Sequence, residues 1–273
     1  MTDHTSLSSD PLTVGAIAVL VYLVATFLHE AVGHGGACAL LGGRVLTVSS
    51  VHCQCDYREI SRNRIRAVEA AGTVVNLVFG LLCAAALVLG PPDAAAWRYF
   101  LWLSAVVNTL LGGGYLMVSP FLNFGDWAEF VEGLRGQLAW KFALTAAGLL
   151  ISFAALYFGR ERIEYFCGYE NPMRSRQAWL LTALPYAVGG IVSCAVAFLN
   201  PVSKLLVATS AGASTLGGTS WLLWIGHLTA TLPPRAASKP AVVALSPALI
   251  ALAGAALIVW AVLLAPGFNP PRR

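Results

Sequence analysis

The sequence predicts an all-α polytopic membrane protein of six to seven transmembrane helices, with a short β-rich or re-entrant segment after the first helix. Three observations predict it. Of the 273 residues 58% are hydrophobic and only 11% charged. The mean hydropathy of +0.72 is far above that of a water-soluble globule. Apolar windows long enough to cross a bilayer, which takes roughly 20 residues, recur along the chain. Seventeen Lys and Arg against 13 Asp and Glu leave a net charge of +4, too mild and too scattered for a nucleic-acid surface. The surroundings implied are a lipid bilayer, with no nucleic acid.

The windows run near 12–33, 67–90, 99–122, 139–159, 178–200 and 240–265. A seventh stretch, near 203–229, is apolar but rich in small polar residues and glycine, which suits close helix packing or a broken helix. The polar stretches near 43–66 and 160–177 are too short to form a soluble domain. Residues 1–135 are therefore read as one three-helix core and 136–273 as accessory membrane helices of the same unit. The first eleven residues hold Asp3 and Asp10 and no basic residue, unlike a secretory leader, so the N-terminus is expected to be retained. The loop after the first span carries Arg44, Arg58, Arg62, Arg64 and Arg66. That excess predicts a cytoplasmic first loop, an external N-terminus and residence in a plasma (inner) membrane. Cys38, Cys53 and Cys55 lie at or beyond the cytoplasmic end of the first span, and Cys83 and Cys194 within spans, which argues against a disulfide framework.

The first span ends Phe27-Leu28-His29-Glu30-Ala31-Val32-Gly33-His34-Gly35-Gly36, setting two imidazoles and a carboxylate where the window is still apolar. An ionised side chain costs roughly 2.5–3.5 kcal/mol at mid-span, and less toward an end. A metal ion or a water-filled cavity compensates such a cluster; snorkelling at the boundary is the alternative. Zinc-protease helices read His-Glu-x-x-His because residues four apart lie about 40° from each other around the helix. Here the spacing is five, which puts His29 and His34 about 140° apart on a regular helix. They can share an ion if the helix bulges or unwinds, and Gly33, Gly35 and Gly36 ease either.

On these residues the chain resembles the site-2 protease family of intramembrane zinc metalloproteases, over about the first 135 residues. In that family the zinc-motif span leads into a β-rich or re-entrant cytoplasmic segment. Here Leu41-Gly42-Gly43-Arg44-Val45 and the alternating Val45, Thr47 and Val51 correspond to it. The second span carries Ala71-Gly72-Thr73-Val74-Val75-Asn76, with Thr where the family has Pro. The resemblance implies that Asn76 holds the substrate backbone; without it, Asn76 reads as a helix-packing amide. The third ligand is implied by Ser119-Pro120-Phe121-Leu122-Asn123-Phe124-Gly125-Asp126-Trp127, with one proline and with Gly before Asp. That makes Asp126 the third ligand, with Glu129 one turn further as a substitute and an interfacial aspartate beside Trp127 as the alternative reading. If the first span runs inward so does the third, and His29, His34 and Asp126 come to one depth.

Other polar residues carry less. His52-Cys53-Gln54-Cys55-Asp56 has the residues of a compact metal cluster but lacks the second half of a structural zinc site. Glu69 is expected to pair with Arg66, and His227 to sit at the interface beside Trp221 and Trp224; Trp97, Trp102, Trp140 and Trp179 read as boundary anchors. The function that follows is a zinc endopeptidase cutting a transmembrane segment of another protein near the cytoplasmic face. Zn2+ is the expected cofactor, held by His29, His34 and Asp126, with Glu30 as the base. Two rivals remain: a non-proteolytic metal- or haem-binding protein on the same fold, and a small proton or ion transporter.

Overall fold

The computed structural model describes residues 8–168, 173–200, 212–234 and 240–269. Six of its helices are long and apolar enough to cross a membrane: α1 (Pro11–Leu40), α2 (Arg62–Leu89), α3 (Ala95–Leu122), α5 (Gln137–Cys167), α6 (Met173–Ala197) and α8 (Pro247–Leu264). A short α4 (Asp126–Val131) follows α3, and α7 (Trp221–Thr231) lies between α6 and α8. Asp10 caps α1, its side chain accepting from the Thr13 amide with Pro11 at the first turn, where a missing N–H costs nothing.

Within α1 the residues Leu28–Gly35 form a π-helix, and the Gly36 amide reaches back five residues to the Ala31 carbonyl. This is the bulge that the five-residue spacing of the histidines requires. The segment after α1 is a two-stranded antiparallel hairpin, β1 (Arg44–Val48) and β2 (Cys53–Asp56), with a register irregularity between Val45 and Thr47. Val45 and Thr47 lie in β1 as the alternation predicts, but Val51 lies in the connecting turn, which Ser49 closes by bonding His52. Beyond β2, Arg58 donates to both carboxylate oxygens of Asp56 and holds that carboxyl down at about 2.

α3 is the most buried of the six spans and α8 the least. The main core joins Val14, Tyr22, Trp102, Leu103, Ile163 and Leu222 across α1, α3, α5 and α7. Trp102 is fully buried and donates its indole N–H to the Gly159 carbonyl, so it is a core residue and not the boundary anchor expected from sequence. Trp97, Trp140 and Trp179 are exposed, as anchors are. Glu69 does not meet Arg66: it accepts from the Tyr57 hydroxyl at 2.9 Å, while Arg66 bonds the carbonyls of Phe130 and Glu132.

The expected seventh stretch, 203–229, falls partly at 201–211, outside the described residues. Its remainder crosses the helical layer. Thr215 lies beside Cys194 near the end of α6, Thr219 accepts from the Tyr22 hydroxyl, and Gly226 packs against Thr182 in the first half of α6. Parity demands this crossing. Residues before α1 bond those before α8, as Asp10 N to Val243 O and Val243 N to Ser9 Oγ. After α8, Phe268 exchanges backbone bonds with Val48 in β1, and Leu264 O accepts from Ser50. The two ends of the described chain therefore lie at opposite ends of the bundle, which six crossings cannot achieve and seven can. The small residues serve the packing: a Cβ on Gly114 would stand 2.6 Å from Gly218 Cα.

Candidate metal centre

The π-helix turns His29 and His34 to the same side of α1, their ring centroids 4.8 Å apart. The third residue arrives from the end of α3. Asn123 ends that helix in the left-handed region (φ 51°), and Gly125 takes φ 78° with an extended ψ, a conformation open essentially to glycine alone. The chain thus reverses, and Asp126 opens α4 pointing at the histidines. Glycine precedes the aspartate here because the turn requires it there. The Asp126 amide donates to the Tyr115 hydroxyl at 3.2 Å, and the Trp127 indole donates to Thr73 Oγ1 at 2.9 Å. Thr73, which stands in the place of the proline in the resemblance, thereby ties α4 to α2. Trp127 itself is buried against α2.

Asp126 Oδ2 lies 3.1 Å from His29 Nε2 and 3.0 Å from His34 Nε2, and the three ligand atoms all fall within 4.8 Å of one another. Among the described residues this is the one group of three or more His, Cys, Asp or Glu so arranged. The other ring nitrogens face acceptors: His29 Nδ1 the Asn76 Oδ1 at 3.0 Å, His34 Nδ1 the Val68 carbonyl at 2.8 Å. With Nδ1 donating to these acceptors, a proton on Nε2 makes each ring an imidazolium from which Asp126 accepts, and without that proton each Nε2 offers a lone pair. A metal ion in place of those protons would take both Nε2 lone pairs and the carboxylate at once. Burial would push the Asp126 carboxyl up, but the positive charge of the protonated imidazoles and their hydrogen bonds outweigh burial and hold it below the ordinary carboxylate range.

The space between them is kept open by missing side chains. A Cβ on Gly72 would stand 2.5 Å from His34 Nε2 and 2.7 Å from His29 Nε2, and a Cβ on Gly33 would stand 2.6 Å from Gly72 Cα. The two glycines let α1 and α2 approach closely, and Gly72 also leaves the space between the imidazoles clear.

The centre opens into a cavity of about 530 Å³ lined by Glu30, Tyr115, Glu129, Cys55 and Trp260 among others. Glu30, next to His29 in the chain, reaches the cavity, and among the described residues nothing hydrogen-bonds its carboxylate. Glu129 also lines the cavity but is outside the ligand group. Asn76 borders the cavity yet is fully buried. Its oxygen faces His29, and its two amide hydrogens go to Ala25 O at 3.1 Å and Asn108 Oδ1 at 2.9 Å. Holding a substrate backbone would require it to give up one of those bonds. Tyr115 and Asn108 escaped the sequence reading, Tyr115 because it meets Asp126 only through the reversal at Gly125, and Asn108 because a lone amide in a span has no local signature. No family model, curated protein or solved structure matches this chain.

Proposed function

We propose that the protein is an intramembrane zinc metalloprotease that cuts transmembrane segments of other membrane proteins near the cytoplasmic face. One observation carries the reading: two imidazoles and a carboxylate converge on one point in an apolar helical layer, with a free carboxylate, Glu30, in the cavity beside them. Binding alone needs the first three; hydrolysis needs the fourth. His29, His34 and Asp126 would hold the zinc. Donors of a tetrahedral zinc at about 2.0–2.1 Å stand about 3.3 Å apart, close to the His-to-Asp distances of 3.0 and 3.1 Å. The chemistry that zinc supplies when bound is Lewis acidity, which polarises a carbonyl and brings the pKa of water at the ion down to about 7.

The rest belongs to the chain. Glu30 takes the proton of the attacking water and returns it to the leaving amine. Asn76 and the Val68 carbonyl hold the imidazoles in the tautomer that offers Nε2. Tyr115 fixes the Asp126 backbone. Leu23, Leu111 and Trp260 give the cavity an apolar wall suited to a lipid-embedded segment. The substrate must unwind before its amides are reachable, because an intact helix spends them on its own hydrogen bonds.

The test is reconstitution into liposomes with single-span membrane proteins, reading new termini by mass spectrometry and zinc by elemental analysis. Glu30→Gln is expected to keep zinc and lose cleavage by about 10²–10⁴-fold, since an amide takes no proton from water. His29→Ala is expected to lose both. Cleavage by Glu30→Gln at the parent rate removes Glu30 as the base. A parent protein that binds zinc but generates no new termini is a binding protein, and the protease reading then fails.

A further inference from the structure

One hydroxyl proton beside the histidine centre is left over. Tyr115 lines the cavity from α3, its ring centroid 5.8 Å from that of His29. Its hydroxyl accepts from the Asp126 amide at 3.2 Å. The oxygen also fills the room that glycine leaves at the reversal, since a Cβ on Gly125 would stand 2.0 Å from it. A hydroxyl that accepts still has a proton to give. Tyr22, Tyr57 and Tyr99 give theirs to Thr219, Glu69 and the Leu181 carbonyl. Among the described residues nothing accepts the proton of Tyr115.

We propose that Tyr115 is a catalytic residue, its hydroxyl donating to the carbonyl oxygen of the scissile peptide as negative charge develops there. The proposal rests on the hydrolytic reading of the centre. The other polar groups of the cavity suit the task less. Asn76 has both amide hydrogens committed, Arg62 donates to Glu132 and to the Glu129 carbonyl, and Glu30, Glu69 and Glu129 as carboxylates can only accept. Ser50 and Ser193 carry unpartnered hydroxyls, but neither bonds a residue of the ligand group, whereas Tyr115 is held against Asp126 itself.

In the reaction the water oxygen bonds to the carbonyl carbon, the π pair moves onto the carbonyl oxygen, and Glu30 holds the proton of the water. When the C–N bond breaks, its pair leaves with the nitrogen, the carbonyl re-forms and the amine takes the proton from Glu30. Tyr115 keeps its own proton throughout. Its hydrogen bond is stronger to the charged oxygen than to the neutral carbonyl, and that difference speeds the chemical step without tightening the binding of substrate. The Asp126 amide fixes the hydroxyl beforehand, so the donor has little to reorganise as the charge forms.

Tyr115→Phe removes the hydroxyl and keeps the ring. In liposomes with a single-span substrate its kcat is expected to fall about 10²–10³-fold, the usual loss for one such donor, with KM and zinc content unchanged. Affinity for a peptide phosphonamidate, which sets charged oxygens where the carbonyl reacts, is expected to fall with kcat, because such an analogue reports transition-state binding. Tyr22→Phe also loses a hydroxyl inside the bundle and is expected to match the parent in both measurements. Cleavage by Tyr115→Phe at the parent kcat overturns the proposal. Loss of zinc from that variant overturns it too, since the hydroxyl then serves only to seat Asp126. An equal fall in Tyr22→Phe overturns it as well, making the effect one of fold. A parent that generates no new termini is a different failure, that of the protease reading, and takes the proposal with it.

Discussion

Gly72 has no side chain where one would stand in the way, since the position of its missing Cβ is the point at which both imidazoles aim. Gly72→Ala is expected to abolish zinc retention while the helix content holds, because alanine is the better helix former and the harm is confined to the ion's space. Elemental analysis beside circular dichroism reads the two separately. Parent-level zinc in this variant would show that the ion does not lie between the imidazoles. Asn76 acts one step back, through His29 Nδ1. Asn76→Leu is expected to weaken zinc affinity about 10–100-fold, as loss of an outer-shell partner commonly does. Competition with a zinc chelator measures it, and unchanged affinity would mean that the ring is held some other way.

At the scale of the element, the π-helix of α1 decides whether there is a centre at all. Deleting Ala31 restores the four-residue spacing found in soluble zinc proteases, but it also rotates everything beyond the deletion by about 100° relative to the start of the span. Gly33 would leave its contact with Gly72, and Cys38 its place under the hairpin. The deletion is therefore expected to lower zinc retention, and a variant with full zinc and full cleavage would show the extra residue to be incidental. The reversal after α3 is as specific. Gly125→Ala meets both a positive φ and the Tyr115 ring, so it is expected to displace Asp126 and cost zinc more than fold, read by the same pair of measurements.

For the whole molecule, parity fixes which parts share a side. The hairpin, the turn at Gly133–Gly136 and the segment around Phe268 lie at one end of the bundle, and Asp10 and Val243 at the other. In sealed vesicles a tag after the last residue is expected to share the accessibility of a tag inserted at Ser50, and a tag at the N-terminus to show the opposite. Accessibility of both termini from one side would break the seven-crossing topology. The arginines of the hairpin end predict that this is the cytoplasmic side.

The amino-acid sequence by itself determined that the chain is apolar enough for six membrane helices, and that two histidines and a carboxylate near the end of the first are out of place there. Both follow from local quantities, hydropathy over a window and the free energy of a charge in hydrocarbon. The five-residue spacing even demanded a bulge, since the angle between two residues on a helix is arithmetic. Only the tertiary structure decided how the histidines are oriented, because the partners of their Nδ1 atoms sit on α2, far along the chain. It likewise decided that Trp102 is a core residue and that Glu69 turns to Tyr57 instead of Arg66. Burial and hydrogen-bond partners at these positions depend on which helices pack together, and helix packing is settled by shape at contacts such as Gly33 on Gly72, which no window along the chain contains.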